Sequence, residues 1–409
     1  MKKSLIRKYA RLAVRTGINL KAGQKVVIVA EADQYEFVEM VTNECYRAGA
    51  KAVRVDFSYQ PVTRLKYQNE SINTLTDIPE WAVAKYRADS EELPCMIHIL
   101  SEDPDGLVGV NREKLLAASR AKYKAVKKYR DSMENKYQWT IIAVPSARWA
   151  EKVFPNESTA KAIDKLWKAI FETVRLSEET DPEKEWEKHN DNFRRRCDIL
   201  NSMHLDRLHY ESSNGTDFTV WLIPRAKWEG GGERTLLGNF FNPNMPTEEI
   251  FTSPMAGKAE GTLVSSKPLS YNGKLIDGFS ITFENGEAVK WRADEGYDAL
   301  TKMIESDKGS RRLGEVALVG YDSPINNQGI TYYNTLFDEN ACCHVALGEG
   351  FTNLIEGYEN MTQKQLHEEG INESMIHVDF MVGTADLKIT GFDKNGKEYK
   401  IFENGNFCF

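Results

Sequence analysis

Asn-Gly occurs five times in this 409-residue chain, always beyond residue 206: Asn214-Gly215, Asn272-Gly273, Asn285-Gly286, Asn395-Gly396 and Asn404-Gly405. Both residues tolerate positive φ, so the pair is a favoured centre of tight antiparallel hairpins. The first half has another rhythm. Residues 25–29, Lys25-Val26-Val27-Ile28-Val29, carry a short apolar run behind one lysine, the pattern of a buried parallel strand. A helical pattern over 36–47, ended by Gly49, leads to a second strand pattern at 52–57, which is a βαβ order. Helical patterns at 73–85, 111–133, 158–176 and 182–203 then alternate with strand patterns at 95–100 and 140–144. The expected fold class is therefore α/β. Residues 1–205 form a doubly wound α/β domain, and residues 206–409 an α+β domain with mostly antiparallel strands. In the second part, 217–223 reads as a strand, 229–233 as a glycine loop open to close backbone approach, and 293–307 as a helix.

Lys plus Arg number 53 and Asp plus Glu 61, so the formal charge is 53 − 61 = −8. That balance argues against a general nucleic-acid binder. The basic residues between Lys114 and Arg130 read as a solvated helix face. No G-x-G-x-x-G follows the first strand, which argues against a dinucleotide site. The six cysteines form no C-x-x-C pair, so a reduced, cytoplasmic setting is expected. The first fifteen residues read as an amphipathic helix rather than a signal peptide, and no apolar run reaches membrane-spanning length.

The chemistry concentrates between residues 335 and 379. In a strand through Met375-Ile376-His377-Val378-Asp379-Phe380-Met381-Val382, alternation puts His377 and Asp379 on one face. Ile376, Val378, Phe380 and Val382 take the other and anchor it in a core. An imidazole beside a carboxylate suits a divalent cation if more carboxylates converge on it; taken alone, the pair reads first as a half-exposed strand with two polar residues facing water. Glu315 opens the apolar run Val316-Ala317-Leu318-Val319, and a carboxylate there needs a cation or strong donors, with Arg311 and Arg312 as the ordinary alternative. Glu249 reads locally as part of an acidic loop, Glu339 as a helix cap and His344 as a core histidine. Cys343 and His344 are adjacent, so on a strand they face opposite ways and make a poor nucleophile–base pair.

Longer stretches carry more. Asn244-Met245-Pro246-Thr247-Glu248-Glu249-Ile250-Phe251-Thr252, Gly314-Glu315-Val316-Ala317-Leu318-Val319, Leu336-Phe337-Asp338-Glu339-Asn340-Ala341-Cys342-Cys343-His344 and His377-Val378-Asp379-Phe380-Met381-Val382-Gly383 resemble the M29 family of bacterial metalloaminopeptidases, also called the aminopeptidase T family. The resemblance is dense over residues 206–392. It implies a peptide substrate, a homodimer and two divalent ions per chain, zinc, cobalt or manganese. The implied ligands are Glu249, Glu315, Glu339, His344, His377 and Asp379, with Glu315 as the preferred proton carrier. One position departs. Where the family carries a catalytic tyrosine seven residues beyond the ligand histidine, this chain has Phe351, which lacks the hydroxyl able to donate to an oxyanion. The reading is an aminopeptidase acting through a two-metal-activated water. The alternatives are a metal- and peptide-binding homologue that cleaves weakly because of Phe351, and a two-metal hydrolase of another bond.

Overall fold

The computed structural model describes every residue except Asn272. Its chain forms two compact units, Met1–Lys188 with Gly232–Pro246, and His189–Gly231 with Thr247–Phe409.

The first unit holds a four-stranded parallel sheet in the order Ala52–Ser58, Lys25–Glu31, Cys95–Leu100, Trp139–Ala143. The helices Tyr35–Arg47, Glu80–Glu92 and Arg112–Met133 lie on the connections between successive strands in sequence. Parallel strands need such crossovers, because a hairpin cannot join them. Val26, Ile28, Ile97 and Ile142 are fully or almost fully buried, as the apolar runs require. The helix expected over 73–85 is instead broken. Gln60–Asn69, Ile72–Thr76 and Glu80–Glu92 are three separate helices, the last starting after Pro79. Proline lacks an N–H and pushes the residue before it out of the helical region, so the pattern cannot run through.

The second unit is antiparallel. One sheet has eight strands and another five. Asn285 and Gly286 turn Ser280–Glu284 into Glu287–Arg292 with φ of 50° and 75°, and Asn404 and Gly405 turn Glu398–Glu403 into Asn406–Phe407 with φ of 52° and 71°. Two successive positive φ values give the backward-twisting turn that matches strand twist. The hairpin expected at Asn272-Gly273 involves a residue outside those described. The helix expected over 293–307 is shorter, Tyr297–Ile304, burying Ala299, Leu300, Met303 and Ile304.

The five-stranded sheet positions the candidate site. Its order is His377–Met381, His344–Gly348, Leu313–Leu318, Ile250–Thr252, Glu229–Gly230. One face sends Ile250, Val316, Leu318, Val345, Leu347 and Phe380 into the main apolar core. Each such side chain contributes about 1.5–3 kcal/mol through burial. Cross-strand partners share a face. On the opposite face, Phe251, Ala317, His344 and Met381 therefore form one row, Glu315, Ala346 and Asp379 a second, and Gly348 and His377 lie beyond them. The segment expected as a glycine loop is this sheet's edge: Gly230 pairs with Ile250. A Cβ on Gly230 would lie 2.5 Å from the Glu249 carbonyl oxygen, so glycine permits the approach of the two backbones.

Candidate metal centre

His377 and Asp379 share the face opposite the core, as their spacing in the sequence predicts. The His377 Nε2 lies 3.1 Å from Glu315 Oε2 and 3.4 Å from Asp379 Oδ1. Glu315 comes from the next strand but one in the sheet, 62 residues earlier in sequence. The alternative partners do not reach it: Arg311 pairs with Glu305 and Arg312 with Glu287. His344 Nε2 lies 3.1 Å from Glu249 Oε2. Glu249, Glu315 and His344 each offer a ligand atom within 4.8 Å of the others, and so do Glu315, His377 and Asp379. Glu315 belongs to both groups. Glu339 lies outside these two groups, in the turn Glu339–Ala341; it is half-buried and within the electrostatic reach of Asp379, Glu249, His344 and Glu315.

The second ring nitrogens orient both imidazoles. His377 Nδ1–H donates to the Glu349 carbonyl at 2.8 Å, and His344 Nδ1–H to the Cys342 carbonyl at 3.2 Å. A backbone acceptor on Nδ1 fixes the tautomer that leaves Nε2 free for a cation. Cys343 points the other way, its thiol donating to the Val319 carbonyl in the core, and burial raises its pKa.

Four carboxylates beside two imidazoles are costly to bury without a cation. Burial pushes the Glu315 carboxyl up to about 7, with Asp379 and Glu249 adding to the rise against the opposing pull of His377. Glu339 is raised well above the usual carboxylate range, by burial first and then by Asp379 and Glu249. Burial alone would lower His377, yet hydrogen bonds and charge from Asp379 and Glu315 outweigh it and carry the ring to about 12. His344 is likewise raised, burial being outweighed by Glu249. Asp379 moves the other way: burial is overcome by His377, and the group stays ionised. Its Oδ1 is buried without a well-aligned hydrogen bond. An anionic oxygen with no well-aligned hydrogen bond, set among oxygen and imidazole donors, fits a divalent cation.

Phe351 lies at the same place. Its ring centroid is 5.0 Å from that of His377 and 5.2 Å from that of Phe251. Of the tyrosines near in sequence, Tyr332 is buried, stacked on Phe337 and bonded through its hydroxyl to Gln328, while Tyr358 packs against Ile223, Ile355, Leu366 and Ile371. Two supporting residues escaped the sequence reading. Phe251 was legible in principle, since alternation within 249–252 puts it on the side of Glu249. Asn340 carries no local signal; its role depends on contacts with a segment some ninety residues away.

Buried carboxylates and imidazoles on one face of an antiparallel sheet have the donor chemistry of a metal-dependent hydrolase. The comparisons agree. The model of the thermophilic metalloprotease (M29) family matches residues 2–407. The chain is 41% identical over 402 residues to Aminopeptidase AmpS of Bacillus subtilis, covering 98% of each chain. It is 38% identical to Aminopeptidase 2 of Geobacillus stearothermophilus, over 98% of this chain and 97% of that one. The solved structure of wild-type AmpT from Thermus thermophilus superposes with a TM-score of 0.92 at 34% identity, with full coverage of both chains. The chain belongs to the M29 peptidase family and is a peptide hydrolase. No described helix is long and apolar enough to cross a membrane.

Proposed function

We propose that this chain is an aminopeptidase that releases the first residue of a peptide with the help of two divalent ions. The observation that carries this is the pair of overlapping ligand groups meeting at Glu315. Glu249, Glu315 and His344 would hold one ion, and Glu315, His377 and Asp379 the other, with Glu339 completing the set. When bound, such ions polarise the scissile carbonyl and lower the pKa of water. The substrate's free amino group would be held by an ion or by an acidic wall residue, which restricts cleavage to the first peptide bond. Glu315 is the carboxylate preferred to take the water's proton and pass it to the leaving amine. Residues 206–409 form the catalytic part in this reading, the protein is cytoplasmic, and it acts as a homodimer. The relatives are all named as aminopeptidases, which favours peptide turnover over a weakly cleaving homologue or a hydrolase of another bond.

The test is metal analysis of the purified protein beside leucyl-anilide hydrolysis, before and after chelation. The reading expects about two ions per chain, loss of hydrolysis on chelation and recovery on refilling. Less than one ion per chain after refilling, with no hydrolysis, overturns it. Light scattering of the intact protein tests the dimer.

A further inference from the structure

Three rings line up across the ligand-bearing face of the five-stranded sheet. Phe251 stands edge-on to Phe351, and Phe351 tilts against His377. The line runs from the strand Ile250–Thr252 to the strand His377–Met381, with Leu313–Leu318 and His344–Gly348 between them in the sheet. Register places Phe251 in the same row as Ala317 and His344, beside the ligand groups and away from the core. All three rings are half-buried, whereas Glu249, Glu315 and Asp379 are buried. The rings are thus the less buried part of the ligand-bearing face, next to the ligand groups. Phe351 is held in place: its backbone N–H donates to Ser253 Oγ at 2.8 Å, and Ser253 is itself buried.

Resting on the function proposed above, we infer that Phe251 and Phe351 wall the pocket for the side chain of the substrate's first residue. They select peptides whose first residue is large and apolar. Charge decides which part of the substrate meets them. The free amino group is polar and is drawn to the charged centre, so the hydrocarbon side chain is what remains for two phenyl faces without a polar atom. Aromatic walls favour flat or branched apolar groups through buried area and ring contact. Phe351, lacking a hydroxyl, leaves no polar group in this wall to solvate.

The experiment compares kcat/KM for phenylalanyl, leucyl and alanyl anilides in the metal-loaded full chain. A pocket that gains from each added carbon discriminates by roughly tenfold or more per methylene. The phenylalanyl-to-alanyl ratio is expected to exceed about tenfold, and to fall by about tenfold or more in Phe251→Ala and in Phe351→Ala. Phe251→Trp narrows the pocket and is expected to move the preference towards alanyl substrates. Binding of phenylalaninamide against alaninamide to metal-free protein, by calorimetry, gives a readout independent of turnover and should lose its preference in the same variants. Ratios within twofold of the parent in all three variants, with metal content retained, overturn the inference. Absence of hydrolysis of any anilide by the loaded parent would instead defeat the underlying function, so the two failures are separable.

Discussion

The side-chain oxygen of Asn340 accepts the backbone N–H of Glu248 at 2.7 Å, while its amide nitrogen donates to the Leu336 carbonyl at 2.9 Å. Asn340 is wholly buried. One side chain therefore ties the segment that presents Glu249 to the turn that presents Glu339. Asn340→Ala leaves the Glu248 N–H unsatisfied in the interior, at a cost of about 1–3 kcal/mol. Because both tethered residues belong to the proposed ligand set, metal affinity is expected to fall about 10–100-fold as well. Thermal denaturation and metal titration of the variant check both. An unchanged affinity alongside reduced stability would confine Asn340 to folding.

Protons and cations compete for this centre. Glu315, Glu339, His344 and His377 all have raised values in the metal-free protein, so each favours its protonated form there. A raised group contributes stability that is complete below its unfolded value and fades as pH climbs through its folded value. For Glu315 that window runs from 4.5 to about 7. Chelated protein should thus lose thermal stability between pH 4.5 and about 7, while the loaded protein, whose carboxylates face cations, should not. Loading should release protons, seen as buffer-dependent heats in calorimetry. A loaded-minus-chelated Tm gap that stays flat across this range would contradict the assignment.

Phe351→Tyr adds a hydroxyl beside His377 and keeps the ring. Removal of one oxyanion donor typically costs about 10²–10³-fold in kcat, so restoring one should raise kcat at least about tenfold. Rapid-mixing assays on leucyl anilide, with metal content matched, measure it. If kcat does not move, the developing charge is met by other groups.

Gly230→Ala tests the edge of the site sheet. The added Cβ would press on the Glu249 carbonyl oxygen, which is backbone and cannot swing aside. A loss of about 1–3 kcal/mol is expected. Metal retention should drop with it, because the same residue's side chain faces His344. Denaturant titration and metal content report the two effects separately.

The sequence by itself determined the local rules. Parallel strands alternate with helices in the first half, and Asn-Gly hairpins follow in the second. The strand His377–Met381 has a polar and an apolar face because side chains alternate along an extended chain, and no partner is needed to know it. The family-like segments also name Glu249, Glu315, Glu339, His344, His377 and Asp379. Only the tertiary structure decided which of these meet. Arg311 and Arg312 stand closer to Glu315 in sequence than His377 does, yet both turn to other acids. Ladder register brings His377 to Glu315 instead. Register depends on pairing between segments tens of residues apart, and on small Ala317, Ala346 and Gly348 keeping the ligand face clear. No periodicity within one segment encodes that, which is also why the sheet-edge role of Gly230 and the tether at Asn340 became visible only in the fold.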